Sequence, residues 1–451
     1  MTPNIILINC DDLGYGDLGC YGSESHATPA LDRLAAEGMR FTDFYMASPV
    51  CSPSRGAMMT GCYPARIGFE DFEGKWVLFP GQGVGLNPDE ITIARLLKDQ
   101  GYATAHVGKW HCGDQPDFLP TNHGFDSYYG IPFSNDMGIH QCQKERRWPP
   151  LPLVRDLEVI EEQPDQTGLT ERYVEECVGF MRRNRESPFF LYLGHMHVHR
   201  PLLVSQRFLN RSRNGAYGAA VECIDWATAA LMYELAALGL EKNTLVIFTS
   251  DNGGKGADGG SNRPLRGFKG TTWEGGQRVP CIMRWPDRIP AGTTCSAMAA
   301  SFDLYPTLAA IAGANVPDDR TIDGVDIRSL MEGDTQATPR DTFFYYRKGE
   351  LDAVRAGHWK LFVRRNGQPI EELYNLQDDV GEKVDVAVQN PSVVADLKES
   401  IAACRQDLGC TGEGIVGENC RPIGRVENPK ALTEYDPAHP YIIAAYDGTV
   451  G

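Results

Sequence analysis

The sequence predicts an α/β protein: a large mixed, mostly parallel sheet sandwiched by helices, with a smaller C-terminal antiparallel sheet plus one helix. Three observations carry this reading. Continuous apolar runs at 5–9, 103–107, 189–193 and 244–250 have the texture of short strands buried on both faces. Helical patterns with their own start and stop residues lie between them, the alternation that builds parallel sheets. Beyond residue 340 the runs become brief and turn-separated, which suits a small antiparallel sheet. At 451 residues, 42% hydrophobic and 23% charged, the chain has length for one large core and a second domain. We divide it into a large α/β domain over 1–335 and a small α+β domain over 336–451 that ends in a wrapping tail.

Composition excludes some classes. Forty-three basic residues against 60 acidic ones give a net charge of −17, which argues against general affinity for nucleic acid or an anionic membrane. No apolar run approaches the roughly 20 residues that span a bilayer. A site for anions must therefore gather its positive charge locally. Thirteen cysteines without any Cys-x-x-Cys pair argue against a metal–thiolate site. Cys404, Cys410 and Cys420 cluster in a Gly-rich tail and leave room for a disulfide, its pairing open. The chain opens on Asn4-Ile5-Ile6-Leu7 without a basic leader, so it is cytoplasmic, or periplasmic or secreted if a signal peptide has been removed. Nothing sets the oligomeric state.

Taken in order, the strand at 5–9 ends in Cys10-Asp11-Asp12, two carboxylates at the carboxyl end of a central strand, where open α/β sheets bind ligands. Thr28-Pro29 reads as N-cap and N1, and Gly38 as the stop, of a helix with Leu31, Leu34 and Ala35 on one face. A strand at 40–45 delivers the stretch Ser48-Pro49-Val50-Cys51-Ser52-Pro53-Ser54-Arg55-Gly56. Its prolines fix φ, so Cys51 is expected on a tight loop feeding a helix. That helix N-terminus, with the Arg55 fork, makes an anion site. A lone cysteine in such a turn is otherwise more often a buried free thiol.

Asn87-Pro88-Asp89-Glu90 predicts a helix start, with Ile91, Ala94 and Leu97 inward and Gly101 closing it. The strand at 103–107 ends in Gly108-Lys109-Trp110-His111, and on extended backbone Lys109 and His111 share a side. Residues 114–164, rich in Pro, Asp and aromatics, read as long loops over the active face. A helix at 169–181 and a strand at 189–193 lead into Gly194-His195-Met196-His197-Val198-His199. Alternation on a strand puts the three histidines on one face, too collinear for a tetrahedral metal site. One catalytic or substrate-binding histidine with two structural neighbours is expected. A helix at 219–238 stops at Gly239, and the strand at 244–250 ends in Asp251-Asn252. Asp11, Asp12, Asp251 and Asn252 are hard oxygen donors that select calcium or magnesium. Residues 253–270 form a Gly-rich loop, read as mobile, that carries Lys269. Beyond a strand at 281–285, a helix at 303–312 and a linker at 316–339, the small domain holds strands at 342–346, 353–356, 359–363 and 372–375 and a helix at 391–406.

Cys51-x-Pro53-Ser54-Arg55 resembles the signature of the type I sulfatases of the alkaline phosphatase superfamily, and the resemblance extends over nearly the whole chain. It is strongest to the arylsulfatase A and N-acetylgalactosamine-6-sulfatase group. Residue by residue, it implies that Asp11, Asp12, Asp251 and Asn252, with residue 51, hold calcium (magnesium second). Cys51 is then the precursor of formylglycine, an aldehyde whose hydrate is the nucleophile, and Arg55 its partner. Lys109 and His111 match Gly-Lys-Trp-His, His199 the histidine before x-Pro, and Lys269 the lysine of Lys-Gly-Thr-Thr-x-Glu-Gly-Gly. Ser134, in Gly130-Ile131-Pro132-Phe133-Ser134-Asn135-Asp136, resembles a serine closing the same pocket. The implied reaction is hydrolysis of a sulfate monoester: Lys109 and Arg55 bind sulfate, His199 or Lys269 protonates the leaving oxygen, and His111 accepts the proton that frees sulfate. His195 and His197 receive no role.

The resemblance also implies a formylglycine-generating maturation enzyme as partner. Family members usually carry Thr-Gly-Arg where this chain has Thr60-Gly61-Cys62. The expected substrate is a carbohydrate sulfate, with Trp76, Phe118, Trp148 and loops over 122–143 lining the pocket and Arg146, Arg147 and Arg200 holding an anionic saccharide. The rivals are hydrolysis of a small aryl sulfate, hydrolysis of a phosphomonoester or phosphonate on the same fold, and an unconverted anion-binding protein.

Overall fold

In the computed structural model, which describes residues 2–141, 148–334 and 339–444, five parallel strands form the centre of the molecule. Their spatial order is Thr244–Ser250, Asn4–Cys10, Phe189–Gly194, Ala103–Gly108 and Ser127–Gly130. Ile5 pairs with Phe190 on one side and Leu245 on the other, and Ala105 with Leu191 and Ser127. Arg278–Arg284 joins one edge antiparallel to Thr244–Ser250 and passes the sheet on to Met39–Tyr45. The hairpin of Pro152–Arg155 and Glu158–Glu162 extends the other edge.

Every residue of Asn4–Cys10 is buried because helices cover both faces of the sheet. The pleat sorts its side chains: Ile5 and Leu7 enter a core with Phe190, Ile247, Ala94, Leu97 and Leu308. Ile6 and Ile8 face the opposite core, with Leu191, Phe248, Leu31, Tyr173 and Ile224. The helices Ile93–Asp99 and Leu304–Ala312 cover the first face. Pro29–Ala36, Leu169–Arg183 and Gly215–Ala237 cover the second.

A separate antiparallel sheet runs Thr342–Arg347, Glu350–Ala356, Trp359–Arg365, Gln368–Asn375, with the helix Pro391–Leu408 packed on it through Val394, Leu397 and Ile401. Its core includes Tyr45, Ala57 and Tyr63 from the large body, so the two sheets share apolar contacts. The tail then returns over the large body: Gly424–Arg425 pairs with Val84–Gly85, Gln115 bonds both ways with Lys430, and Thr433 donates to Pro150 O. The division at 335/336 falls on residues outside those described. Among the described residues no helix is long and apolar enough to cross a membrane.

The structure departs from the sequence reading at several points. Residues 114–164 contain three strands, not loops alone. The helix expected from Asn87 starts at Ile93, because Thr92 caps it by accepting from Arg95 N at 3.2 Å, while Asn87 Oδ1 instead takes Asp89 N in a turn. Within the expected linker at 316–339, the described residues 316–334 are no free linker: Ile327, Leu330 and Met331 are buried in the first core, the last two from the short helix Arg328–Met331. The loop read as mobile is braced by Asn262, which bonds Gly254 N, Gly254 O and Gly267 O. All twelve described cysteines are free, Cys404, Cys410 and Cys420 among them.

Candidate active site

The five parallel strands all end at one level, and each is followed by residues singled out from the sequence. Gly194, Gly108 and Gly130 form the floor. A Cβ on Gly108 would stand 1.9 Å from Gly194 O, and one on Gly130 1.9 Å from Gly108 O. Only glycine permits this approach, and Gly108 also sits at φ +103°. Above the floor the chain places Asp11, Asp12, Lys109, His111, Ser134, His199, Asp251 and Asn252, all at least nine-tenths buried. Cys51 and Arg55 arrive from the helix Cys51–Thr60, and Lys269 from the long loop after Asn252.

Cys51 is the first residue of that helix and not part of a loop ahead of it. Val50, extended at φ −142°, occupies the cap, and Pro53 falls in the first turn, where its missing N–H costs nothing. The Cys51 thiol donates to Asp11 Oδ1 at 3.4 Å. Burial, then the Asp11 carboxylate, push its pKa well up.

The charges interlock. Lys109 Nζ lies 2.6 Å from Asp11 Oδ2 and 3.3 Å from Ser134 Oγ. Arg55 Nε donates to Asp251 Oδ2 at 2.8 Å and its Nη1 to Lys109 O at 2.9 Å, leaving Nη2 without a hydrogen bond and 3.9 Å from Asp11. Lys269 Nζ reaches Asp12 Oδ2 at 2.9 Å, and Asn252 Nδ2 donates to Asp12 Oδ1 at 2.8 Å. Burial alone would raise Asp11, but Lys109, His199, Arg55 and Lys269 outweigh it and hold the carboxyl well below the carboxylate range. Asp251 goes the other way, raised by burial and by the Asp11 charge beside it.

Donor atoms of Asp11, Asp12, Cys51 and Asp251 lie within 4.8 Å of one another, and Asn252 Oδ1 is buried without a partner. Three crowded carboxylates and an orphaned amide oxygen are hard ligands, so this donor set fits a divalent metal ion. Without it, three carboxylates face three permanent cations, Arg55, Lys109 and Lys269. With it the site carries an excess of positive charge suited to an anion.

The three alternate histidines do not lie on one strand face: the strand ends at Gly194, ahead of His195, His197 and His199. His199 Nδ1 donates to Arg200 O at 2.6 Å and lies 3.4 Å from Ser134 Oγ, which leaves Nε2 facing Asp12 Oδ2 at 3.8 Å. His195 is fully buried, with no hydrogen bond to either ring nitrogen, and burial drops it to about 3. His111 sits at φ +64°, which breaks the extended geometry assumed for its pairing with Lys109. Its Nε2–H donates to Leu78 O at 3.0 Å, so Nδ1 is left as a bare, unpartnered acceptor.

Of the other expected pocket residues, one is a core residue. Phe118 is 1% exposed and packs against Gly85 and Gly113, a core position. Arg200 is paired with Asp258 at 2.6 Å, and Arg146 and Arg147 lie outside the described residues. Trp148 stacks on Phe79 at 5.2 Å. Cys62 is buried, and the guanidinium of Arg421 from the tail lies 3.3 Å from its sulfur while bonding Glu90 through two nitrogens.

Sequence reasoning missed the residues that hold these groups. Ser54 donates to Asp251 O, and Ser52 accepts from Leu78 N at 3.1 Å, fixing the carbonyl that orients His111. Behind the Lys269 loop, Glu274 accepts from Lys360 at 3.0 Å and Tyr345 at 2.7 Å, and Lys360 also bonds Thr272 O at 2.8 Å. The serines stood beside Cys51 in plain view. Lys360, some 90 residues beyond the loop it supports, gave no signal.

Comparison with known proteins agrees with the geometry. The family model described as Sulfatase matches residues 3–314, and that described as N-sulphoglucosamine sulphohydrolase, C-terminal, matches residues 268–407. The chain is 39% identical to arylsulfatase A of Homo sapiens over 88% of its length and 86% of that protein. It is 42% identical to N-acetylgalactosamine-6-sulfatase of Canis lupus familiaris over 79% of its length and 71% of that protein. Among solved structures, Ps i-CgsB in complex with k-i-k-neocarrahexaose superposes with a TM-score of 0.80 at 34% identity, covering 89% of this chain and 92% of that one.

Proposed function

The chain belongs to the sulfatase family and is a sulfate ester hydrolase, and from that premise we propose how its own residues divide the work. The observation that carries the proposal is the meeting of Cys51, three carboxylates and three buried cations at the ends of five parallel strands. Residue 51 is the nucleophile position; formylglycine, typical of the family, supplies there a hydrated aldehyde with two hydroxyls. Asp11, Asp12, Asp251 and Asn252 would hold a divalent cation, which lowers the pKa of a nearby hydroxyl and neutralises anionic charge. Calcium is the proposed ion and magnesium the second choice, since a cluster of carboxylate and amide oxygens is the hard donor set that both take and calcium accepts the more irregular geometry.

Lys109 and the free Nη2 of Arg55 bind sulfate oxygens, and Ser134 sets Lys109 and His199 at its rim. Lys269 and His199 Nε2 both face Asp12 Oδ2 and protonate the leaving oxygen. His111, its Nε2–H committed to Leu78 O, takes a proton at Nδ1. The test is turnover of 4-nitrophenyl sulfate with metal analysis. Sulfate release with stoichiometric calcium supports the assignment, and stoichiometric zinc with preference for a phosphate ester would favour the phosphomonoesterase reading.

A carbohydrate sulfate is the proposed physiological substrate, supported by the relative named for N-acetylgalactosamine-6-sulfate and by the saccharide complex of the superposed structure. A small aryl sulfate is the alternative, as the name of arylsulfatase A suggests. A formylglycine-generating enzyme is the proposed maturation partner. With Cys62 where an arginine is usual, conversion of Cys51 should be incomplete in a host poor in that enzyme. Co-expressing it should raise specific activity.

A further inference from the structure

Outside the cluster described above, one group of side chains stands out against the chain's net charge of −17. The hairpin between Thr342–Arg347 and Glu350–Ala356 brings two adjacent cations, Arg347 and Lys348, to the ring of Trp76. Lys348 Nζ lies 3.8 Å from the ring centroid and the Arg347 guanidinium carbon 5.4 Å. Among the described residues neither has a carboxylate partner. Arg347 bonds only Gly270 O and Asn366 Oδ1, both at 3.2 Å, while Glu350 next in the chain turns to Arg364. The pKa of Lys348 falls through burial and the Arg347 charge, with Glu350 too weak to offset them, as expected of an unneutralised cation pair.

This pair adjoins the nucleophile. Gly270, to which Arg347 donates, follows Lys269, and its N–H donates to Pro49 O at 2.9 Å. Gly270 also lies against Trp76, whose ring would be 3.1 Å from a Cβ there. A narrow slit is lined by Pro49, Val50, Trp76, Arg347 and Lys348 and also by Glu70, whose Oε1 accepts from Thr411 Oγ1 at 3.4 Å. Phe268, 55% exposed, flanks the same loop. An aromatic face beside two spare cations, at the edge of a sulfate site, matches a sugar ring bearing a further anionic group.

Resting on the sulfatase reading, we infer that Trp76, Arg347 and Lys348 form a recognition subsite for a second anionic group, a sulfate or carboxylate, on a saccharide whose first sulfate is cleaved at residue 51. The substrate class is then the multiply anionic saccharides. The test compares kcat/KM for a disaccharide with one sulfate and the same disaccharide with two, in the wild type, Lys348→Gln and Trp76→Leu, with 4-nitrophenyl sulfate as reference. The wild type should prefer the doubly sulfated form by about tenfold, and Lys348→Gln should cut that ratio about fivefold, the scale of one exposed ion pair. Salt raised until the Debye length is about 3 Å should erase most of it. A wild type without preference, or a ratio unmoved by both substitutions, overturns the proposal. Turnover of 4-nitrophenyl sulfate with neither disaccharide cleaved also overturns it but spares the sulfatase reading. Failure on all three esters, with residue 51 shown to be aldehyde, overturns that reading itself.

Discussion

Two clusters of buried charge lie on either side of the Lys269 loop, and they are finished differently. Behind the loop, Glu274 has both carboxylate oxygens engaged, by Lys360, Tyr345, Tyr45 and Arg278, while Glu382 binds Glu274 N at 2.8 Å and Lys360 at 2.8 Å. At the strand ends the same types of residue leave Arg55 Nη2, His111 Nδ1 and Asn252 Oδ1 buried without hydrogen bonds. Buried carboxylates that each meet a cation serve the fold, Glu382 Oε1 through its ion pair with Lys360 alone, whereas several orphaned polar atoms converging beside crowded carboxylates are costly and mark a place kept for a ligand. Equal burial therefore hides opposite purposes, and substitutions should separate them.

The largest contrast lies in turnover. Cys51→Ala should lower hydrolysis by at least about a thousandfold with an unchanged circular dichroism spectrum, because the side chain does little packing at the sheet's ligand end. A variant retaining a tenth of wild-type activity would remove residue 51 from the nucleophile's role. Asp251→Asn comes next: bound metal, measured by plasma emission spectroscopy, should be lost, and activity should fall by about a hundredfold. In the metal-free protein this substitution should leave the melting temperature level or raise it, since it relieves the crowding of Asp251 against Asp11.

The opposite cluster should respond in stability. Lys360→Met strands Glu274 and Glu382 without their shared cation, and unfolding in urea should become easier by about 3–5 kcal/mol. Metal content per folded molecule should stay near that of the wild type. If Lys360→Met lost metal before it lost stability, the two clusters would be one machine and the contrast would fail.

The smallest effect is pH-dependent. Burial raises the Asp352 carboxyl, in the small sheet beneath Thr272, to about 7. A carboxyl with a raised folded pKa adds stability that is full below its unfolded value of 3.8 and lost as pH rises through about 7. Asp352→Asn, which can still accept from Thr272, should therefore exceed the wild type at pH 8 and match it at pH 3, below the unfolded value. Equal urea midpoints at both pH values would show that Asp352 is not titrating in the fold.

The sequence showed most of the first cluster and almost nothing of the second. Asp11, Asp12, Lys109 and Asp251 were legible because parallel strands read as apolar runs and ligands gather where those runs stop. Cys51, Arg55 and His199 were legible through short local motifs. Where the chain leaves regular φ, the reading failed: His111 in the left-handed region and the turn after Gly194 defeated arguments from extended geometry. The strands at Ser127–Gly130, Pro152–Arg155 and Glu158–Glu162 are too short, at four, four and five residues, to declare themselves. The Glu274–Lys360–Glu382 network depends on contacts between positions 86 and 108 residues apart, which no local pattern encodes.

The central claim is that converted residue 51 is the working nucleophile of this strand-end site. It is tested most directly by preparing the protein with and without a formylglycine-generating enzyme, measuring by mass spectrometry the fraction of residue 51 present as aldehyde, and plotting 4-nitrophenyl sulfate turnover against that fraction. The account predicts a straight line through the origin. Full turnover in a preparation whose residue 51 is entirely thiol would contradict it.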